Sequence, residues 1–231
     1  MQNNAAKQAV LQLIFNGTAY ANVADNAASS PLTNLYGALH TAWPGRTGSQ
    51  STSEASYTNY ARVAIPRTSG GFTVAADGTI TLTSSRSFPA SSATGNNQYC
   101  PFFSIGNASS GASQIQAMGC ILKSGTAAQP VTVATSGNLF TAYAHGAVTD
   151  DRVCFFKVGN SALPTGVTEG TVYWVRAGYT SDTFTVSETQ GGASITVSAN
   201  GAATLMVLDT NFQVGNNYTP TLTTGTTIYT D

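Results

Sequence analysis

Charged side chains are scarce in this chain of 231 residues. Only 8% of the residues are Asp, Glu, Lys or Arg, whereas about 25% is usual in a soluble domain. Nine basic and ten acidic residues give a net charge of −1, and no two basic residues are adjacent. Such a chain has no electrostatic footprint for nucleic acid, so we expect no nucleic-acid partner.

Cysteine and histidine are also rare, which restricts metal and nucleophilic chemistry. The three cysteines, Cys100, Cys120 and Cys154, are widely spaced and form no C-x-x-C motif, so we expect buried free thiols rather than a disulfide framework or a zinc site. The two histidines, His40 and His145, occur without a third ligand nearby and without a G-x-S-x-G motif. We therefore expect no catalytic residue, no metal, no cofactor and no enzymatic activity.

Long apolar runs are missing as well. No stretch approaches the ~18 consecutive apolar residues of a transmembrane helix. The N-terminal sequence MQNNAAKQAVLQLIF has one lysine and no clear small-residue cleavage site, which argues against a signal peptide. We expect a protein that is made in the cytoplasm and does not insert into a membrane.

Small polar residues replace the missing charge. The hydrophobic share is an ordinary 42%, and the remainder is rich in Gly, Ser, Thr and Asn. A surface of this kind suits broad, permanent protein contacts, because charged groups would have to be desolvated there. Composition favours an assembly protein, although a secreted or adhesin-like β protein can share it.

The apolar pattern predicts one helix followed by many short strands. Apolar residues recur at helical spacing between residues 6 and 14, and Asn16-Gly17 supplies the stop. From Leu35 onward the apolar runs are short and are separated by turn residues, as in Phe72–Val74 and Ile80–Leu82. The predicted fold is mainly β: an antiparallel β-sandwich or barrel with one short N-terminal helix and an inserted small β module.

The segment from Leu35 to Val63 carries the most specific pattern. It contains a strand-like run, a Pro-Gly turn, a polar loop and a second strand-like run over Tyr57–Ile65. The order L-H-T-A-x-P-G, T-S-E and Y-T-x-Y-A-R-V resembles a family of small tailed-bacteriophage virion proteins, tail-fibre-like or head-decoration-like. The resemblance extends to the GGFTV run at Gly70–Val74 and to the Thr-rich C-terminus. It implies a building block of a virus particle rather than an enzyme.

A second resemblance concerns residues 134–207. They contain H-G, D-R-V, L-P-T-G, Y-W-V, T-F-x-V-S and G-G-A in this order, which resembles a small β module of many phage structural proteins. We therefore predict a virion-docking β domain formed by residues 1–133 and 208–231. Residues 134–207, including an apolar run at Ile195–Val197, form the inserted β module.

Glu54 and Arg62 stand out because the chain has few other charges. Glu54 precedes the strand-like run that begins at Tyr57, and Arg62 lies within that run. A bidentate carboxylate–guanidinium pair would clamp the loop that carries Trp43 onto the sheet. Two alternatives stay open at this point, namely that Arg62 reaches a neighbouring subunit or that it is a solvated surface charge.

Aromatic side chains are the remaining candidates for an interface or a recognition surface. Trp174 and Arg176 share one face of a predicted strand. Aromatic residues beside arginine are enriched at interfaces and at sugar-binding surfaces. Trp43, Tyr57 and Tyr60 are candidates of the same kind.

The expected function is that of a structural component of a tailed-bacteriophage virion. We expect a fibre- or decoration-type protein that is attached to the tail, the neck or the capsid. Its partners would be other virion proteins and further copies of itself, most simply as a homotrimer, because closed symmetry is the rule. The alternative function is a module that binds a host-surface glycan or protein. In either case the protein is made in the host bacterial cytoplasm and resides in the virion.

Overall fold

The computed structural model describes residues 4–19, 31–92, 98–159, 161–176, 180–215, 217–224 and 226–228. The chain divides into two compact units. Unit 1 comprises Met1–Gly119 and Gln213–Asp231, and unit 2 comprises Cys120–Phe212. The described residues form antiparallel sheets and one short α-helix, which confirms the predicted fold class.

The described residues contain only short helical segments. The helix α1 spans Asn4–Leu11 and continues as a π-helical turn over Gln12–Asn16, and a short 3-10 turn spans Ser136–Asn138. None of the helices in the described ranges has the length and apolar character needed to cross a membrane.

The described residues form 18 strands. Unit 1 contains β1 (Asn34–His40), β2 (Val63–Pro66), β3 (Phe72–Val74), β4 (Ile80–Leu82), β5 (Arg86–Ser87), β6 (Gln98–Tyr99), β7 (Phe102–Gly106), β8 (Ile115–Cys120, which ends at the unit boundary), β16 (Gln213–Val214), β17 (Thr221–Leu222) and β18 (Thr227–Ile228). Unit 2 contains β9 (Gln129–Ala134), β10 (Leu139–Thr141), β11 (Arg152–Phe156), β12 (Tyr173–Val175), β13 (Thr183–Phe184), β14 (Val186–Ser187) and β15 (Gly201–Val207).

The N-terminal helix packs on the small sheet of β3, β4 and β18. The ring of Phe15 is fully buried and meets the ring of Phe72 edge-on, with 5.1 Å between their centroids. The helix ends at Gly17, whose φ of 66° lies in the left-handed region that glycine adopts without strain. Arg67 donates to the carbonyl oxygens of Leu13 and Ile14 and so binds carbonyl groups at the end of the helix.

Strand β1 lies in the middle of the main sheet of unit 1, which has the order β2-β1-β7-β8. Gly37 is opposite Ile105 of β7, and His40 is opposite Phe102. Successive side chains of a strand point to opposite faces, and both Leu39 and His40 are fully buried. Both faces of β1 are therefore covered at this end, which places a histidine inside the unit.

Two predicted strand-like runs are shorter or absent in the structure. The run predicted over Tyr57–Ile65 begins with a turn, in which Tyr60 N donates to Tyr57 O and Asn59 has a φ of 73°, and the strand starts only at Val63. Asparagine tolerates this left-handed conformation better than most residues. The run Ile195–Val197 is not a strand: Ile195 N donates to Val186 O, but Val197 N donates to the side chain of Asn138 instead of to a neighbouring strand.

Unit 2 is a nearly closed, barrel-like sheet with the order β13-β10-β9-β15-β11-β12-β14. Its two edge strands, β13 and β14, are separated in the chain by Thr185 alone, so the sheet curls until its edges meet. Inward-facing residues alternate along each strand, as in small barrels whose interior is filled by side chains. The interior consists of Val131, Val133, Phe140, Ala142, Ala147, Val153, Phe155, Tyr173, Val175, Phe184, Val186, Val197, Ala203, Leu205 and Val207.

Strand pairing sets the limits of unit 2, which extend beyond the predicted residues 134–207 at both ends. Strand β9 starts at Gln129 and pairs with β15, and Leu122 forms a bridge with Leu208. In unit 1, the C-terminal strands β16, β17 and β18 pair with β6, β5 and β4. The docking and outward roles assigned to the two domains stay predictions.

Candidate functional site

Arg62 is the centre of a buried polar site in unit 1. Its side chain is 1% exposed, and that of Glu54 is 18% exposed. Nε of Arg62 donates to Oε1 of Glu54 at 2.7 Å, and Nη2 donates to Oε2 at 2.8 Å. This bidentate geometry matches the guanidinium fork to the carboxylate and gives the strongest kind of charge-assisted hydrogen bond.

The remaining N–H groups of Arg62 bind a second segment of unit 1. Nη1 donates to Ala108 O and to Ser113 Oγ, each at 3.0 Å, and Nη2 donates to Gly111 O at 2.7 Å. Nη1 also lies 3.3 Å from Oε1 of Gln50. One buried cation thus joins the chain around residue 54 to the connection between β7 and β8.

Gln50 extends the hydrogen-bond network towards β1. Its Nε2 donates to Tyr36 O at 2.8 Å, and its Oε1 accepts a hydrogen bond from Ser113 Oγ at 2.6 Å. Gly106 leaves the space for this side chain, because a Cβ there would lie 2.2 Å from Oε1 of Gln50. A larger residue at position 106 would displace the glutamine.

Tyr60 supports the carboxylate of Glu54 from the other side. Its hydroxyl donates to Oε1 of Glu54 at 2.9 Å and accepts a hydrogen bond from Leu39 N at 3.1 Å. Burial raises the pKa of Tyr60, so the hydroxyl keeps its proton. Tyr57 is 2% exposed and donates to Pro89 O at 3.0 Å. Tyr57 therefore lies inside unit 1, whereas Tyr60 is partly exposed, and an interface or recognition role of either tyrosine stays a prediction.

His40 completes the site in one defined tautomer. Its Nδ1 lies 2.9 Å from Thr52 O, and its Nε2 lies 2.7 Å from Ser104 Oγ. A carbonyl oxygen can only accept, so Nδ1 carries the proton and Nε2 accepts from the serine hydroxyl. Burial lowers the pKa of His40 and keeps the ring neutral.

We call these connected side chains the arginine cluster. It consists of His40, Gln50, Glu54, Tyr60, Arg62, Ser104 and Ser113. Sequence reasoning predicted the pairing of Glu54 with Arg62, and it named Tyr60 only as an interface or recognition candidate. The contacts of the other members carry no sequence signal, because these residues are far apart in the chain and come together only in the folded unit.

The arginine cluster fixes both ends of the loop formed by residues 41–53. At the ends of this loop, Thr41 N donates to Ser53 O and Ala55 N donates to Leu39 O, each at 2.8 Å. Within the loop, the ring of Trp43 meets the ring of Phe102 edge-on at 5.6 Å. These contacts hold the two ends of the loop together and anchor Trp43 against β7.

Unit 2 has its own partly buried ion pair, in which the side chain of Lys123 is 31% exposed and that of Asp151 is 9% exposed. Oδ2 of Asp151 accepts from Lys123 Nζ at 2.6 Å and from Val148 N at 2.8 Å. Lys123 Nζ also donates to Gly146 O at 3.2 Å. The pair joins the start of unit 2 to the connection between β10 and β11.

His145 lies beside this ion pair in the opposite tautomer to His40. Its Nε2 is 3.0 Å from Thr180 O, and its Nδ1 accepts a hydrogen bond from Ala147 N at 3.0 Å. The ring packs edge-on against Phe184 at 4.8 Å. Burial lowers the pKa of His145, and protonation of Nδ1 would turn a hydrogen bond into a repulsion between two N–H groups.

Trp174 and Arg176 remain partly exposed on the outside of the barrel. The guanidinium of Arg152 lies 5.7 Å from the centre of the Trp174 ring, within cation–π range. The N–H of Arg176 donates to Thr185 O at 2.9 Å. Trp174 is thus paired with an arginine of the neighbouring strand rather than with Arg176.

The described residues contain no group of three or more His, Cys, Asp or Glu side chains that could hold a metal ion. The polar groups of the arginine cluster are hydrogen-bonded to one another. Such an arrangement anchors the backbone of the 41–53 loop.

We predict that Arg62→Ala lowers the free energy of unfolding by about 3–5 kcal/mol, because it leaves Glu54 buried without its cation. Chemical denaturation of the purified chain measures this loss. Arg46→Ala, which removes an exposed charge from the same unit, is the matched control and should cost about 0–1 kcal/mol. Equal stabilities of the two variants would show that Arg62 does not support the fold.

We predict that the chain loses stability as the pH falls below the ordinary histidine pKa of 6.5. Folding lowers the pKa of both histidines, so below that pH the unfolded chain binds protons that the folded chain does not. Each histidine can contribute up to about 1.36 kcal/mol per pH unit. Denaturation at about pH 7.5 and about pH 5.5 measures the change.

Nitrogen-15 NMR of the folded chain is the independent check on the tautomers. It should place the ring proton of His40 on Nδ1 and that of His145 on Nε2. A free energy of unfolding that is constant over this pH range, or two identical tautomers, would contradict the assignment.

Comparison with known proteins gives a match to one family model. No curated protein and no solved structure matches the chain. A family model described as "Podophage GP4 fiber I protein gp80" matches residues 2–149, which is more than half of the 231 residues and includes the whole arginine cluster. The prediction of a phage virion protein is thereby confirmed, and the chain belongs to the podophage GP4 fiber I protein gp80 family.

Proposed function

We propose that this chain is a homotrimeric fibre protein that attaches to other proteins of a podophage particle through unit 1. The family supports a structural role in a phage fibre. The match spans residues 2–149 and therefore includes the long N-terminal segment of unit 1, whereas most of unit 2 lies outside it. We assign attachment to the part that the family shares, because family members that attach to related particles need a common docking surface.

The observation that carries this proposal is the fixed 41–53 loop. Its ends are held by the arginine cluster, and Thr41, Arg46, Thr47 and Ser51 are exposed along it. A loop that is already ordered loses little conformational entropy when it binds, which favours tight association. Trp43, partly exposed in the same loop, is the kind of aromatic anchor that dominates interface energetics.

The homotrimer is supported by composition and by symmetry. With 8% charged residues and a net charge of −1, copies of the chain repel one another little and have few charges to desolvate on contact. Closed rotational symmetry is the common solution for identical subunits. A trimer matches a fibre that consists of three equivalent chains around one axis.

We predict that Trp43→Ala reduces the amount of this protein on purified particles by about tenfold, because an interface loses its central aromatic side chain. Quantitative immunoblotting of particles grown with the variant chain measures the occupancy. Thr47→Ala, in the same loop, is the matched control and should leave the occupancy unchanged. Thermal unfolding of both variants separates lost attachment from lost folding, since Trp43 also contacts Phe102.

Sedimentation of the purified wild-type chain tests the oligomeric state directly. A mass of three chains is the expected result. A folded monomer at high concentration would contradict the trimer, and unchanged occupancy of Trp43→Ala on particles would contradict docking through the loop.

A second candidate function, recognition of the host surface, is supported by Tyr143 in unit 2. Its side chain is 84% exposed. The turn that carries it is held in place, because Ala144 N donates to Oδ1 of Asp182 at 2.8 Å and the ring of His145 binds Thr180 O. We propose that unit 2 presents this tyrosine to a glycan or protein of the host cell.

We predict that a chain with residues 120–212 replaced by a short Gly-Ser link folds and attaches to particles, and that those particles adsorb less to host cells. Each sheet of unit 1 uses strands of that unit, and the cost of loop closure grows slowly with loop length. Circular dichroism, particle occupancy and cell adsorption are the three measurements. An unfolded product would show that unit 1 depends on unit 2, and normal adsorption would rule out host recognition by unit 2.

A further inference from the structure

Two of the three cysteines lie next to each other in unit 2. Sγ of Cys120 is 3.9 Å from Sγ of Cys154, although the residues are 34 positions apart in the chain. Cys154 is fully buried, and Cys120 is partly exposed. Both are free thiols in the structure.

The two thiols meet outside the core of the barrel. On β11, Val153 and Phe155 belong to that core, so Cys154 between them points to the opposite face of the strand. Cys120 is the first residue of unit 2. A disulfide bond needs about 2.05 Å between the sulfur atoms, so the two sulfur atoms, now 3.9 Å apart, have to approach each other for the bond to form.

We propose that Cys120 and Cys154 form a reactive dithiol that small-molecule disulfides convert into an intramolecular disulfide bond. The thiolate of Cys120 attacks one sulfur of the small disulfide, forms a mixed disulfide and releases one small thiol. The thiolate of Cys154 then attacks the sulfur of Cys120, forms the protein disulfide and releases the second small thiol. The two cysteines are oxidised, the small disulfide is reduced to two thiols, and the two cysteine protons end on those thiols or in solvent.

The order of the two steps follows from exposure. Cys120 is partly exposed, whereas Cys154 has no exposed surface. Burial also raises the pKa of Cys154, which disfavours its thiolate and its direct reaction with a small disulfide in solution. A mixed disulfide on Cys120 is instead held next to Cys154 at high effective concentration, which favours the second step. The chain is thus stable as a dithiol until an oxidant reaches Cys120.

The bond would close a loop that contains β9 and β10 and would tie the start of unit 2 to β11. It would therefore restrict the unfolded chain and stabilise the barrel. On the function proposed above, the protein leaves a reducing cytoplasm and enters an oxidising environment with the particle. The thiol chemistry itself is measured on the isolated chain and does not depend on that function.

The test uses the full-length purified chain under native conditions with 4,4′-dithiodipyridine, an aromatic disulfide that releases a coloured thiol. The expected result is two released thiols per chain, no probe left on the protein, and a mass lower by two hydrogen atoms. Cys100, which is buried and whose pKa burial raises to about 12, is the internal control and should react only in denaturant.

Single substitutions identify each step. Cys154→Ser should release one thiol and retain the probe on Cys120, because the second attack is lost. Cys120→Ser should release no thiol at the native rate, and Cys100→Ser should behave as the wild type. If the serine at position 154 prevents folding, Cys154→Ala serves in its place, since it leaves no unpaired hydroxyl.

A thermal unfolding curve provides the second readout. The oxidised chain should melt about 5 °C or more above the reduced chain, and a reducing agent should reverse the shift. A wild-type chain that retains the probe on Cys120, or a disulfide that links two chains on a non-reducing gel, would overturn the proposal.

Discussion

The guanidinium of Arg62 imposes the main constraint on unit 1, because an almost fully buried cation must have an acceptor for each N–H group. Removing such an ion from water costs several kcal/mol, which is offset only by good geometry and complete hydrogen bonding. The acceptors are a carboxylate at position 54 and groups at positions 108, 111 and 113. The unit can satisfy Arg62 only when the chain at Gln50 and Glu54 and the β7–β8 connection are both in their native places. The cation therefore selects one arrangement of these two segments around the segment that carries Arg62.

The two buried histidines also have a hydrogen-bond partner for each ring nitrogen, although their rings are neutral. His40 donates through Nδ1 and accepts through Nε2, whereas His145 does the reverse. In each case a backbone carbonyl fixes the donor nitrogen, so the tautomer is determined by the fold. Because neither ring has room for a second proton without losing a hydrogen bond, both sites stabilise the fold most strongly when the histidine is neutral.

Local pattern was enough to predict some elements and not others. The hairpin Phe72–Val74 and Ile80–Leu82 was readable because alternation and an Asp-Gly turn occur within eleven residues. Glu54 and Arg62 were readable because charges are rare and these two are close in sequence. The acceptors that Arg62 finds at positions 108–113 could not be predicted from the sequence, since two of them are backbone carbonyls, which any residue supplies. The turn at Asn59 was also missed, because the apolar residues around it imitate a strand.

The few charged side chains of this chain and its neutral polar surface loops have different roles. Arg62, Arg67 and Lys123 bind partners within their own units, and the buried Arg62–Glu54 pair is screened by salt far less than an exposed pair. The exposed loops are dominated by Ser, Thr, Asn and Gly. Contacts between such surfaces depend on shape and on neutral hydrogen bonds, so they change little with ionic strength. We therefore expect a protein with this division of roles to keep both its fold and its contacts when the salt concentration varies.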